Sequence, residues 1–517
     1  METEMNTVRS LIDNNAERYG DKTFLIVPET GAVMSYLDLQ QHCLEVASML
    51  DSFGLEKGDK VAMLMPNGYW TAAVFLAVMY SGRVIVPLNA VSGESALDYV
   101  IEHSDAKMLL IDKTYRPKYF TILAHLPACV KQVDIDIDAG LEWSNELEHK
   151  PCFAALDAEQ TAVLIYTSGT TGRPKGVLLS HKNVLAGGQN TAIAHQLDEA
   201  DRALCVLPLY HINAEMVTIM GPLVSGGSVV LPKRFSTSCF WGFLADHQCS
   251  WFSIVPTIVA YLLEHAEREG FDRAALGSLD QLRFGRSASA PLAPEMHKNF
   301  ETKFAVPLIE TMGLSETSAQ ILSNPLPPGK SKYGSPGIAM GNEAKIIDEQ
   351  GSQCLVGVSG ELMIRGDNVT KGYYKNPEAT LAALEEDGWL HTGDIALCDK
   401  DGFYFITGRI KELIIKGGEN IAPREIDEAL YEHPCVLEAA GFAIPDNLYG
   451  QEVMACVALK PGTSCTEAEL NALLGAKLGN FKSPKRIFFL EELPKGPSGK
   501  IQRLKLPETL QKELAAV

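Results

Sequence analysis

The stretch Tyr166–Gly176, YTSGTTGRPKG, sets four serine or threonine hydroxyls, three glycines and two basic residues in eleven positions. Serine, threonine and glycine alone would make a flexible connector. The ending RPKG departs from that pattern, because a linker needs no cation at a fixed place. Glycines let backbone N–H groups turn toward an anion, hydroxyls donate to it, and Lys175 or Arg173 adds charge. The stretch is therefore a phosphate cradle. The preceding run Thr161–Tyr166, TAVLIY, is apolar and partly β-branched, and predicts a buried strand feeding it. It is not a G-x-x-x-x-G-K-[ST] loop, since Arg173 and Pro174 separate Gly172 from Lys175. A different phosphate chemistry is required.

The 517-residue chain is too long for one ordinary core and predicts two or more domains. With 46% apolar and 21% charged residues it has a globular composition. A formal net charge of −20 argues against a nucleic-acid partner, which would need clustered Lys and Arg. No membrane insertion is expected. METEMNTVRS lacks a charged-then-apolar signal pattern, and the apolar run Thr71–Tyr80 is too short for a bilayer. The ending KELAAV carries no retention or peroxisomal signal, so the cytoplasm is the expected location. Eleven cysteines without a CxxC pair suggest reduced thiols and no cysteine metal site.

Up to about Pro151, helical stretches such as SALDYVIEHSD alternate with strands such as KVAMLM and KMLLID, an α/β pattern. The pattern resumes after the cradle with ALCVLPL, a helix near Glu215, SVVLPK, a helix near Phe240, SWFSIVP and QLRFGRSASAPL. From about Ser331 short strands and glycine turns take over, as in GELMIRG and DGFYFITGR. The last hundred or so residues, opening with KELIIKGGENIAPRE, predict a small α+β unit. The boundary is expected at 409/410, giving domains 1–409 and 410–517.

Three further clusters carry chemistry. Ser315 beside Glu316 in GLSE offers a phosphate contact and a Mg²⁺ contact, Asp394 in HTGD can grip a vicinal diol, and Lys500 follows a glycine turn in PSGK. Singly, each is as readily a polar turn or a surface lysine. In the order TSGTTGRPKG, GLSE, HTGD, GRIKELI, PSGK they resemble the motif series of the adenylate-forming superfamily. That superfamily includes acyl- and aryl-CoA ligases, peptide-synthetase adenylation domains and luciferase. The resemblance runs from about residue 10 to 510. It implies an α/β fold in which two sandwich layers and a small β-barrel form the N-terminal domain, with a mobile C-terminal domain beyond. It also implies a reaction in which a carboxylate attacks the α-phosphate of MgATP, and a thiol, usually of coenzyme A, then displaces AMP.

The resemblance further implies residue roles. Thr167, Ser168, Gly169, Thr170, Thr171, Gly172 and Lys175 hold the β- and γ-phosphates. Ser289, Ala290, Glu310, Thr311 and Met312 surround the nucleotide, with Met312 where an aromatic usually stacks on adenine; a thioether can pack on a purine face. Ser315 contacts the α-phosphate, Glu316 the Mg²⁺, Asp394 the ribose hydroxyls, and Arg409 stands near them. Lys500 bridges the substrate carboxylate and α-phosphate. Lys411 is the hinge, Gly418 lets pantetheine pass, and Ile415 replaces a lysine common in related ligases.

His211 in PLYHINAE, Arg286 and Gly313 are the implied acyl pocket. RFGRSASAPLAPE resembles oxalate ligases and PLYHIN carnitine ligases, both acting on small polar acids. Arg286 is then either a partner for a second carboxylate or a structural arginine at a strand end. An acid–CoA ligase is the leading expectation. The alternatives are an adenylation enzyme loading a separate acyl carrier protein, and a silent nucleotide-binding scaffold; a homodimer also stays open. Asn213 and Glu215 stand near where amino-acid-adenylating relatives place an aspartate.

Overall fold

Apolar residues occupy every face of the helix Tyr69–Tyr80, and such a helix is stable only when covered all round. The helices Val8–Tyr19 and Tyr36–Ser52 and strands of two sheets supply the cover. The computed structural model describes residues 6–141, 153–167, 173–496 and 501–514, and four sheets are present among them. In the seven-stranded sheet, Lys131–Asp136, Ala106–Asp112, Lys60–Leu64, Val84–Pro87 and Thr161–Thr167 run parallel. Gly140–Leu141 and Lys175–Ser180 close its two edges antiparallel.

The nine-stranded sheet has a parallel run from Thr23–Val27 through Ser228–Val230, Arg202–Cys205, Trp251–Ile254 and Phe284–Ser287 to Leu308–Leu314. Ala32–Ser35 extends one side antiparallel; Ala319–Ser323 and Ile338–Ala339 extend the other. Parallel ladders need both faces buried. Met63 and Ile165 of the first sheet, Leu25 and Phe252 of the second, and Phe75 of the helix accordingly share one core.

A third, antiparallel sheet orders Glu343–Ile347, Gly360–Arg365, Leu390–Cys398 and Tyr404–Arg409. Its Leu362, Ile364 and Leu390 share a core with Ile321 and Leu322 from the antiparallel end of the nine-stranded sheet, and an isolated bridge joins Gly337 to Tyr404. These two facing sheets occupy the place of the expected small barrel. The helix expected near Glu215 is a π-helix, Asn213–Met220, a rare geometry that recurs at functional sites.

After Tyr404–Arg409 the chain passes through a 3-10 turn, Ile410–Glu412, into a five-stranded sheet that includes Ile414–Lys416, Glu419–Ile421 and Gly450–Leu459. The helices Pro423–Tyr431 and Glu467–Lys482 lie against it, and Ile426, Leu430, Val453 and Leu470 form a core separate from the rest. The architecture is thus a large α/β N-terminal domain and a smaller C-terminal one. No helix among the described residues is long and apolar enough to cross a membrane.

Candidate functional site

Thr167 and Lys175 face each other where the strands Thr161–Thr167 and Lys175–Ser180 meet. That pairing fixes both ends of the expected phosphate cradle. Ser168, Gly169, Thr170, Thr171 and Gly172 lie outside the described residues. The Lys175 ammonium stands 5.0 Å from the centre of the Tyr373 ring, and the Tyr373 hydroxyl donates to Glu316 Oε1 at 2.9 Å. Burial, then the Glu316 charge, raises the Tyr373 phenol and keeps it a donor. Tyr373 thus links Lys175 to Glu316. Its role was not read from the sequence, where the only signal is an aromatic pair after Gly372 in KGYYKNP.

Ser315 and Glu316 occupy a 3-10 turn, Ser315–Thr317, between the antiparallel strands Leu308–Leu314 and Ala319–Ser323. Gly313 makes that pairing possible, because a Cβ there would run into the Ala319 carbonyl. Across the third sheet Asp394 pairs with Arg409, whose Nε donates to the buried Asp394 Oδ1 at 2.7 Å. The Asp394 charge raises the Arg409 pKa further.

Two cavities meet here. The smaller, about 90 Å³, is lined by Glu316, Tyr373, His391, Thr392 and Arg409. The larger, about 540 Å³, lies at the domain junction and gathers Ser289, Ala290, Glu310, Thr311, Met312, Gly313, Asp394 and Arg409. Leu314 and Arg409 line both. Ser315 lines neither. Burial pushes the Glu310 carboxyl up to about 7 while its Oε1 accepts from Leu292 N at 3.1 Å.

From the small domain, Arg424, Lys495 and Arg503 reach the larger cavity. Lys500 lies outside the described residues; Lys495 and Ile501 on either side of it pair in an isolated bridge, and both line that cavity. Lys411 sits in the 3-10 turn between the two sheets. Gly418 turns the hairpin after Ile414–Lys416 at a φ of 86°, with nothing within 4 Å of where a Cβ would stand.

His211 packs on Tyr210, ring centres 4.6 Å apart, just before the π-helix. Arg286 turns from its strand into the interior and donates to Asn213 Oδ1 at 2.8 Å, Ser253 Oγ at 2.9 Å and Gln320 Oε1 at 3.3 Å. Asn213 Nδ2 in turn reaches Ser289 Oγ at 3.3 Å, on the wall of the larger cavity. Neither oxygen of the buried Glu215 has a hydrogen-bond partner among the described residues, and burial pushes its carboxyl up to about 8.

Among the described residues no group of three or more His, Cys, Asp and Glu could hold a metal. A Mg²⁺ carried mostly by phosphates and water needs only one or two carboxylates. Glu316, oriented by Tyr373 and facing a polar cavity, fits that need.

Known proteins share this plan. The sequence profile of the AMP-binding enzyme family matches residues 12–374, and that of the AMP-binding enzyme C-terminal domain matches 425–500. A sulfoacetate–CoA ligase of Cupriavidus necator is 43% identical over 97% of both chains. An oxalate–CoA ligase of Arabidopsis thaliana is 35% identical over 97% of this chain and 98% of its own. ATP-bound MatB from Rhodopseudomonas palustris superposes with a TM-score of 0.88 at 29% identity, covering 98% of this chain and 99% of that one; its apo form gives 0.77.

Proposed function

This chain belongs to the AMP-binding enzyme family, and from that premise we propose that it joins a short carboxylic acid to coenzyme A through an acyl-adenylate. The observation that carries the reading is the convergence of Tyr373, Glu316, Arg409 and Asp394 on two adjoining cavities, with Lys175 held beside the Tyr373 ring.

In the first half-reaction a carboxylate oxygen attacks the α-phosphorus of ATP; a P–O bond forms, the α–β bridge breaks, and pyrophosphate leaves. Two anions must meet, so charge neutralisation and positioning are what the protein supplies. Thr167 and Lys175 hold the pyrophosphate end. Asp394, paired with Arg409, accepts from the ribose hydroxyls, and Glu310, Thr311 and Met312 face the base. Glu316 would hold a Mg²⁺ whose charge offsets that of the phosphates. Lys500 would bridge the carboxylate and the α-phosphate. The closer likeness to the ATP-bound than to the apo form of MatB supports a domain arrangement suited to this step.

In the second half-reaction the thiol sulfur attacks the acyl carbon, AMP leaves with its bonding pair, and the thiol proton is lost to solvent or base. Rotation at Lys411 would bring Gly418 to the pantetheine arm. The relatives are named as CoA ligases, which favours coenzyme A over a carrier-bound thiol. Those named for sulfoacetate and oxalate act on two-carbon acids, which supports a short acid here.

The test is pyrophosphate release from MgATP with oxalate, malonate, sulfoacetate, carnitine, fatty, aryl and amino acids, each with and without coenzyme A. Sustained release with a short acid only when coenzyme A is present supports the proposal. A single turnover that coenzyme A cannot accelerate contradicts it.

A further inference from the structure

Arg286 is almost fully buried, yet among the described residues it forms no ion pair. Its three partners, Asn213, Ser253 and Gln320, are neutral acceptors, and they engage only Nε and Nη1. No hydrogen bond is made by Nη2 among the described residues. Burying a cation without a counter-ion carries a desolvation penalty that persists after relaxation. A purely structural tie between the strands Trp251–Ile254, Phe284–Ser287 and Ala319–Ser323 could be made by a neutral side chain without that cost. Burial is the one influence that shifts the group, drawing it down to about 9, so it keeps its charge at neutral pH. The neighbouring His195 offers no compensation, because burial and then Arg286 itself drive it well below its usual range, leaving it neutral.

The position of the group shows where an anion would come from. Asn213, which holds Nη1, also reaches Ser289 on the wall of the larger cavity, and Ser289 lies three residues beyond Arg286 in the chain. Arg286 therefore stands one side chain behind the larger cavity, whose wall also includes Gly313 of the implied acyl pocket. Its orientation is set by three fixed acceptors, and its remaining edge is a planar donor suited to an oxyanion.

We propose that Arg286, held by Asn213, Ser253 and Gln320, receives a second anionic group at the far end of the acid substrate, a carboxylate or a sulfonate. The inference rests on the ligase reading above and narrows its substrate to short acids with two anionic ends. The group that would supply the missing charge is the substrate's own, so recognition and neutralisation of the buried guanidinium are one event.

Matched acids test this. Sulfoacetate and methylsulfonylacetate have nearly the same shape, but only the first has a distal charge; malonate and monomethyl malonate form a second pair. Wild-type enzyme should prefer the charged member of each pair by about 100-fold or more in kcat/KM, the scale of a desolvated charge pair. Arg286→Gln should reduce that preference below about 10-fold, and Arg286→Lys should fall between. The wild-type comparison stands even if a variant fails to fold. Equal use of charged and neutral members by wild-type enzyme overturns the Arg286 assignment and leaves the ligase intact. No pyrophosphate release with any acid overturns both.

Discussion

Asp394→Asn isolates the nucleotide-binding half of the proposal. Asp394 is 3% exposed and accepts from Arg409 at 2.7 Å, whereas the Arg409 side chain is 42% exposed. Losing the charge therefore strands no buried cation, and the stability cost should stay near ~1 kcal/mol. ATP binding should suffer more. A hydrogen bond to a charged acceptor contributes about 1.5–3 kcal/mol, and asparagine keeps one carbonyl acceptor, so a loss of about 2 kcal/mol is expected. That is about a 30-fold rise in KM for ATP. The ribose does not react, so kcat should change by less than about threefold. Initial rates of pyrophosphate release against ATP and 3′-deoxy-ATP provide the assay. Wild-type enzyme should lose affinity for the deoxy analogue, and Asp394→Asn should lose little more, because the partner is already gone. Fully additive penalties would show that Asp394 and the ribose do not touch.

Tyr373→Phe removes the 2.9 Å hydrogen bond to Glu316, and should raise the Mg²⁺ concentration giving half-maximal pyrophosphate release about three- to tenfold; an unchanged requirement refutes the link. Arg424 crosses the domain junction to the Ile406 carbonyl and faces Glu310. Arg424→Ala should slow adenylation about five- to tenfold while leaving thioester formation from supplied acyl-adenylate within about twofold; equal slowing of both steps would end that reading. Glu215 is held up at about 8 from 4.5 by burial, so the folded state keeps its proton where the unfolded chain has lost it. Wild-type stability should then fall as pH rises from about 4.5 to about 8. Glu215→Gln, which cannot ionise, should gain on it by up to roughly 4 kcal/mol across that window. Urea unfolding at about pH 5 and about pH 8.5 checks this, and a gap independent of pH contradicts it.

Features governed by local pattern were legible before the fold was seen. The partly β-branched run Thr161–Tyr166 carries its own pattern and ends, and it formed the strand expected. Ser289, Glu310, Thr311, Met312, Asp394 and Arg409, far apart in the chain and all named as candidates from the sequence, line one cavity. What stayed hidden depends on contacts between distant segments. Tyr373 matters because its hydroxyl meets Glu316, 57 positions away. Ser253 and Gln320 are ordinary strand residues until they converge on Arg286 from either side. The π-helix at Asn213–Met220 has no composition of its own, and its period cannot be told from an α-helix over eight residues.

The central claim is that the acid is activated as its adenylate. It is tested most directly by running one turnover with an acid labelled with ¹⁸O in its reacting carboxylate, in the presence of coenzyme A, and measuring the mass of the nucleotide and phosphate products. Attack on the α-phosphorus predicts one labelled oxygen in AMP and none in pyrophosphate. Label in a phosphate product instead, or unlabelled AMP alongside the thioester, would contradict the account.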